Sequence, residues 1–212
     1  MSLEIELKVR VDDHDVVRRR LVALGAEPLG AVLEFNRLFD TRDGALARGG
    51  VGLRVRTHLP QPADQAVTPV GASFPPASAS GTAKVTVKGP QRPGPFKVRP
   101  EEEFDVADGD AVARAFALLG YETTIAFEKR RESWRLGDCR IELDALPLLG
   151  LFVEVEGPSE QAVSEVRRRL GLDAHPHVQA SYVSLLDEAC RDRGLDPHVF
   201  FQPSASSSHA ED

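Results

Sequence analysis

The residues able to do chemistry stand mostly two positions apart: Glu4 and Glu6, Lys8 and Arg10, Arg54 and Arg56, Glu101 and Glu103, Lys129 and Arg131, Arg140 with Glu142 and Asp144, and Glu154 with Glu156. Lys84 and Lys88, four apart, extend the set. Side chains two apart on a β-strand leave the same face. Grouped carboxylates are hard oxygen donors that suit Mg²⁺ or Mn²⁺. Grouped lysines and arginines suit phosphate oxygens, arginine often through a two-pronged contact. The chemistry on offer is therefore metal-assisted handling of a polyanion.

Other chemistries find little support. No Gly-x-x-x-x-Gly-Lys-Ser/Thr loop and no Gly-x-Gly-x-x-Gly fingerprint occur. His175-Pro176-His177 reads as a loop rather than a zinc pair, because no further donor stands at metal spacing. Cys139 and Cys190 read as packing residues. A net charge of −7 argues against general binding of nucleic acid or anionic membranes, so an anion site must be a local basic cluster. No run of about eighteen apolar residues suggests a membrane span, and no signal peptide is read at the start. The expectation is a cytoplasmic protein.

The elements that must position these charges are strands, each with one apolar face. Leu3, Ile5, Leu7, Val9 and Val11 alternate with the first charges, Leu53 and Val55 with Arg54 and Arg56, and Val153 and Val155 with Glu154 and Glu156. Between the strands lie amphipathic helices: one after Asp13 ending at Gly25, one from Asp108 to Leu119, one from Ser159 to about Leu170, and one from Ala180 to about Arg191. Residues 11–27 align without gaps on 106–122, with identities such as Asp13/Asp108, Leu24/Leu119 and Gly25/Gly120. A duplicated strand–helix–strand unit implies two pseudo-symmetric halves.

About eight strands in antiparallel order predict an α+β fold built on a closed eight-stranded β-barrel. Helices packed outside would cover the apolar strand faces and turn the charges into the lumen. The alternative is a conventional barrel with an apolar centre and charges in solvent. Mixed charges inside a barrel are stable only if paired or bound to ligands. A wet tunnel holding a polyanion and divalent cations meets that condition.

The motifs Glu4-x-Glu6-x-Lys8, Phe39-Asp40-Thr41, Leu53-Arg54-x-Arg56, Lys84-x-x-x-Lys88, Lys129-x-Arg131, Leu143-Asp144 and Gly150-x-Phe152-Val153-Glu154-x-Glu156 resemble the CYTH superfamily. These are the triphosphate tunnel metalloenzymes, which include class IV adenylyl cyclases and thiamine triphosphatases. Lys88-Gly89-Pro90, Glu128-Lys129-Arg130-Arg131 and Ser181-Tyr182-x-x-Leu185-Leu186 look most like the cyclase branch. The resemblance implies Mg²⁺ or Mn²⁺ ligated by Glu4, Glu6, Glu154 and Glu156, with Asp144 and Glu142 assisting. It implies a triphosphate held by Lys8, Arg54, Arg56, Lys84, Lys88, Lys129 and Arg131, of which Lys8, Lys88 and Arg131 would take part in catalysis. Glu101, Glu103 and Arg140 would complete the lining. Phe39 replaces a tyrosine of the animal thiamine triphosphatases, which disfavours that substrate.

The expected function is ATP cyclisation, with inorganic or nucleoside triphosphate hydrolysis as the alternative and a non-catalytic polyphosphate sensor as a third. The partner is a small-molecule triphosphate, and a homodimer is left open. The domain spans 1–193, interrupted by a Pro/Ala/Ser-rich insertion at 58–82 read as flexible, and residues 194–212 read as a frayed tail.

Overall fold

The structure, a computed structural model, describes residues 2–60 and 82–201, without the side chains of 2–4 and 60. Most of the expected insertion (61–81), the tail from 202 and the Glu4 side chain lie outside the described residues. In chain order the elements are β1 (Ser2–Val11), α1 (His14–Ala23), β2 (Glu27–Thr41), α2 (Ala45–Arg48), β3 (Gly52–Pro60), β4 (Ala83–Lys88), β5 (Lys97–Val106), α3 (Gly109–Leu118), β6 (Tyr121–Leu136), β7 (Cys139–Leu146), β8 (Gly150–Glu156), α4 (Glu160–Arg169), α5 (Tyr182–Arg193) and β9 (His198–Val199). Side chains of Asp13, Asp108, Ser159 and Ser181 cap α1, α3, α4 and α5, accepting first-turn N–H groups that have no helical partner.

Strands follow the order β2-β3-β4-β5-β1-β8-β7-β6, and β6 returns to β2, closing a ring of eight antiparallel neighbours. The duplication is visible in the register. Glu34 pairs with Lys129 and Glu4 with Arg99, each residue facing its own counterpart 95 positions later. An approximate two-fold therefore passes through the β2/β6 and β1/β5 seams. It carries β3 and β4 onto β7 and β8, on opposite sides of the ring.

The apolar faces point outward, under helices. Val17 and Leu21 of α1 and Val163 and Val166 of α4 pack on Leu7, Val9, Ile141, Leu143, Val153 and Val155. Val112 and Phe116 of α3 cover Phe39, Val55 and Val85. Burying each of these large aliphatic side chains stabilises by about 1.5–3 kcal/mol. Helix α5 behaves differently. Its Tyr182 and Leu186 meet Phe127, Leu146 and Phe152, which are two residues from Lys129, Asp144 and Glu154 and so share their inward face. One end of the bore is thus apolar and occupied by a helix.

Two expectations need correction. Residues 194–201 are not frayed: β9 adds in parallel to the edge of β6 at Ala126–Phe127, where β7 no longer reaches. Phe200 then packs on Phe35 with ring centroids 5.7 Å apart. Their hydrophobicity outweighs the terminal position. Second, the run Arg18-Arg19-Arg20, whose charge predicts a solvated helix face, is not wholly in solvent: Arg18 donates to Glu132 of β6 and Arg20 to the Leu170 carbonyl, which ties α1 down.

Candidate functional site

The bore holds a cavity of about 890 Å³ walled by both signs of charge. Alternation along β1, β7 and β8 brings Glu6, Glu142, Glu154 and Glu156 to one side, with Glu6 opposite Glu156 and Glu142 opposite Glu154 across the ladder. Like charges in directly opposed positions repel unless something positive lies between them. Here Lys8, 1% exposed, places Nζ 3.1 Å from Glu154 and 3.7 Å from Glu6, while Lys97 lies 3.2 Å from Glu6. Burial alone would raise the Glu154 carboxyl, but Lys8 and Arg131 outweigh it and hold it well below the usual range.

The facing side is cationic. β3 supplies Arg54 and Arg56, β4 Lys84 and Lys88, and β6 Lys129 and Arg131. Burial, followed by the neighbouring Arg56, lowers Arg54 to about 10. Its Nη2 donates to Thr86, which in turn donates to Glu103. Lys84 pairs with Glu103 at 3.0 Å and Lys88 with Glu101 at 2.8 Å, so two carboxylates of β5 neutralise part of this side.

Tyr182, at the start of α5, forms part of the inner wall. Its hydroxyl donates to Asp144 Oδ2 at 3.0 Å, and its ring lies 3.8 Å from Lys8 Nζ, a cation–π contact. Burial and then Asp144 raise its hydroxyl well above the usual phenol value.

The residues expected at the site, Glu4 aside, are brought together around one bore. Arg140 and Glu156 sit exposed at its rim. Asp144 is the exception in placement: it is fully buried and does not line the cavity, being bound by Arg131, Lys129 and Tyr182. Its visible work is to orient cations. Asp40, matched to the family motif, accepts the N–H groups of Leu46 and Ala47 and so anchors α2.

Sequence reasoning missed Glu34, Asn36, Lys97, Arg99 and Tyr182, all of which line the cavity. For Glu34 and Asn36 the signal was available, since they alternate with Phe35 and Arg37 on β2. Lys97 was hidden by its closeness to the Gly-Pro turn, and Tyr182 by lying on a helix.

The acidic side was tested for fit to a divalent ion. Its donors are carboxylate oxygens from three adjacent strands, opposed in like-charged pairs, which is the chemistry a hard cation satisfies. Among the described residues, however, no three His, Cys, Asp or Glu side chains already converge to hold an ion. Lys8, Lys97 and Arg131 take those contacts instead. The donor set fits, with protein cations occupying the space between donors.

A closed antiparallel ring with an ionic bore and external helices defines a class, and the comparisons agree. The CYTH domain profile matches residues 2–182, and the chain belongs to that family. It is 27% identical over 199 residues to adenylate cyclase CyaB of Aeromonas hydrophila, covering 88% of this chain and 90% of the relative. The structure of the PH1012 protein of Pyrococcus horikoshii OT3 is similar with a TM-score of 0.68 at 23% identity, covering 86% of this chain and 98% of that one. HpAC1 from Hippeastrum, described as having a dominant triphosphatase activity, is similar with a TM-score of 0.62 at 18% identity, over 92% and 97% of the two chains. At these identities the two structures speak for the fold. No described helix is long and apolar enough to cross a membrane.

Proposed function

We propose that this chain is a divalent-metal-dependent enzyme of the class IV adenylyl cyclase type, converting ATP to cyclic AMP and pyrophosphate. The observation that carries the reading is the two-sided bore, with carboxylates on β1, β7 and β8 facing cations on β3, β4 and β6. Glu6, Glu154 and Glu156, with Glu142 and Glu4, would hold Mg²⁺ or Mn²⁺, which neutralises phosphate charge and polarises P–O bonds when bound. Arg54, Arg56, Lys84, Lys88, Lys129 and Arg131 would grip the triphosphate. Lys8 stands among the carboxylates, beside Glu154 and Glu6.

Phosphoryl and nucleotidyl transfer depend mainly on alignment and on stabilising charge at phosphate oxygens. The cations supply both. Attack of the ribose 3′-hydroxyl on the α-phosphorus expels pyrophosphate and closes the cyclic ester. Attack of water on the terminal phosphorus releases orthophosphate. Leu38, Leu53, Phe127 and Val183 add apolar area to the cavity wall, suited to a nucleoside and of no use to bare tripolyphosphate. The activity described for HpAC1 supports hydrolysis as the second reading.

The test is to incubate the purified chain with Mg²⁺ or Mn²⁺ and either ATP or tripolyphosphate, following cyclic AMP and orthophosphate. Cyclic AMP from ATP is expected. Orthophosphate without cyclic AMP would replace the cyclase reading with the triphosphatase. Tight tripolyphosphate binding without any turnover would leave a sensor.

A further inference from the structure

One carboxylate on the cationic side of the bore is enclosed by bases. Glu34 of β2 is 1% exposed, and the charged groups around it are all nitrogen bases. Arg56 Nη1 and Lys129 Nζ lie 3.1 Å from its oxygens, His58 Nε2 at 3.8 Å and Arg131 Nε at 3.9 Å. A carboxylate enclosed in this way is no metal donor, because an incoming ion would meet three fixed positive charges first. The groups enclosing it are the ones assigned above to phosphate oxygens.

Glu34 also sits on the two-fold seam, opposite its own counterpart Lys129. Two residues along the same face, Asn36 is fully buried and its Oδ1 accepts from Arg56 Nε at 3.1 Å. Guanidinium only donates, so this contact settles the amide orientation and leaves Asn36 Nδ2 without a protein acceptor. Arg56 is thus held from two sides by β2, once by a charge and once by a dipole. The carboxylate is ionised: burial would raise it, but Arg56 and Lys129 hold it well below the usual range.

We infer that Glu34 is a resident counter-ion in the triphosphate seat, standing between Arg56 and Lys129 where a phosphate oxygen would otherwise be held. It keeps both cations aligned in the empty enzyme. It also subtracts one unit of charge from the seat, which weakens the grip on polyphosphate and lets the product leave. This rests on the triphosphate reading above.

Binding of tripolyphosphate and of pyrophosphate to the full chain, measured by calorimetry in EDTA, tests the role. Glu34→Gln removes the charge at nearly constant shape and is expected to bind about tenfold tighter or more, by loss of repulsion at close range. Glu34→Asp keeps the charge and is expected to stay near wild type. A folded Gln variant that binds no tighter, or an Asp variant that tightens equally, overturns the counter-ion role while wild-type binding leaves the triphosphate reading standing. Absence of binding by wild type overturns both. Should Glu34→Gln not fold, wild-type crystals soaked in tripolyphosphate decide. Phosphate oxygens between Arg56 and Lys129, with both drawn away from Glu34, are expected. Intact Glu34 pairs with the phosphate seated elsewhere overturn the role.

Discussion

Arg131 is where the two sides of the bore meet. Its guanidinium contacts Asp144 and Glu154 and lies 3.9 Å from Glu34, and these acids, Asp144 first, raise it well above its usual value against the opposing effect of burial. A buried pair contributes modestly when complete but is costly to break, since the remaining charge loses its partner. Asp144→Asn leaves both Arg131 and Lys129 short of charge, and is expected to lower the unfolding free energy in urea by about 3–5 kcal/mol. At this scale the sequence was informative wherever charges alternate along a strand, as at Glu154 and Glu156. It was silent about partners. That Asp144 serves the cations from behind, rather than lining the cavity, depends on Tyr182 reaching it from 38 residues away. No local spacing carries that contact.

Among the elements, strands β1 to β8 were legible because stretches with a period of two recur in them, although bulges interrupt β2 near Pro28 and Leu38. The short pieces were not. Helix α2 is four residues held by Asp40, and β9 is two residues whose pairing partner lies far back in the chain. Such pieces have too few positions for a period and are defined by what they dock on. Phe200 follows β9, is 3% exposed and covers Phe35 and Ala126 outside the barrel. Phe200→Ala should therefore cost about 3 kcal/mol in a urea titration, with turnover of triphosphate unaltered at a temperature where the variant remains folded. Helix α5 was found in the sequence, but its place was not: amphipathic spacing says that a stripe is buried and does not say whether a strand's outer or inner face receives it.

For the molecule as a whole, interior charge makes stability depend on pH in a definite sense. Glu34 and Glu154 lie well below the ordinary 4.5 in the folded state. Folding thus favours their ionised forms: their stabilisation is complete above about pH 4.5 and is lost as pH falls through the depressed folded values. His14, His58 and His177, lowered from 6.5 by burial, act in the same sense at milder pH, because the unfolded chain takes up protons first. The unfolding free energy should decline below 6.5 and fall steeply below 4.5 in urea titrations across pH. A rise on acidification would contradict the interior pairing.

The approximate two-fold carries Arg54 and Arg56 of β3 toward Glu142 and Asp144 of β7, and Thr86 and Lys88 of β4 toward Glu154 and Glu156 of β8. The backbone repeats under this rotation while most of the lining charges reverse sign, Glu6 and Glu101 excepted, so the operation comes close to an antisymmetry of the field. Shape alone would admit a rod-like guest equally in two orientations related by turning it end over end. A transverse dipole across the channel makes one of them favourable and the other repulsive, and a duplicated scaffold thereby acquires a polarity that its chain path lacks.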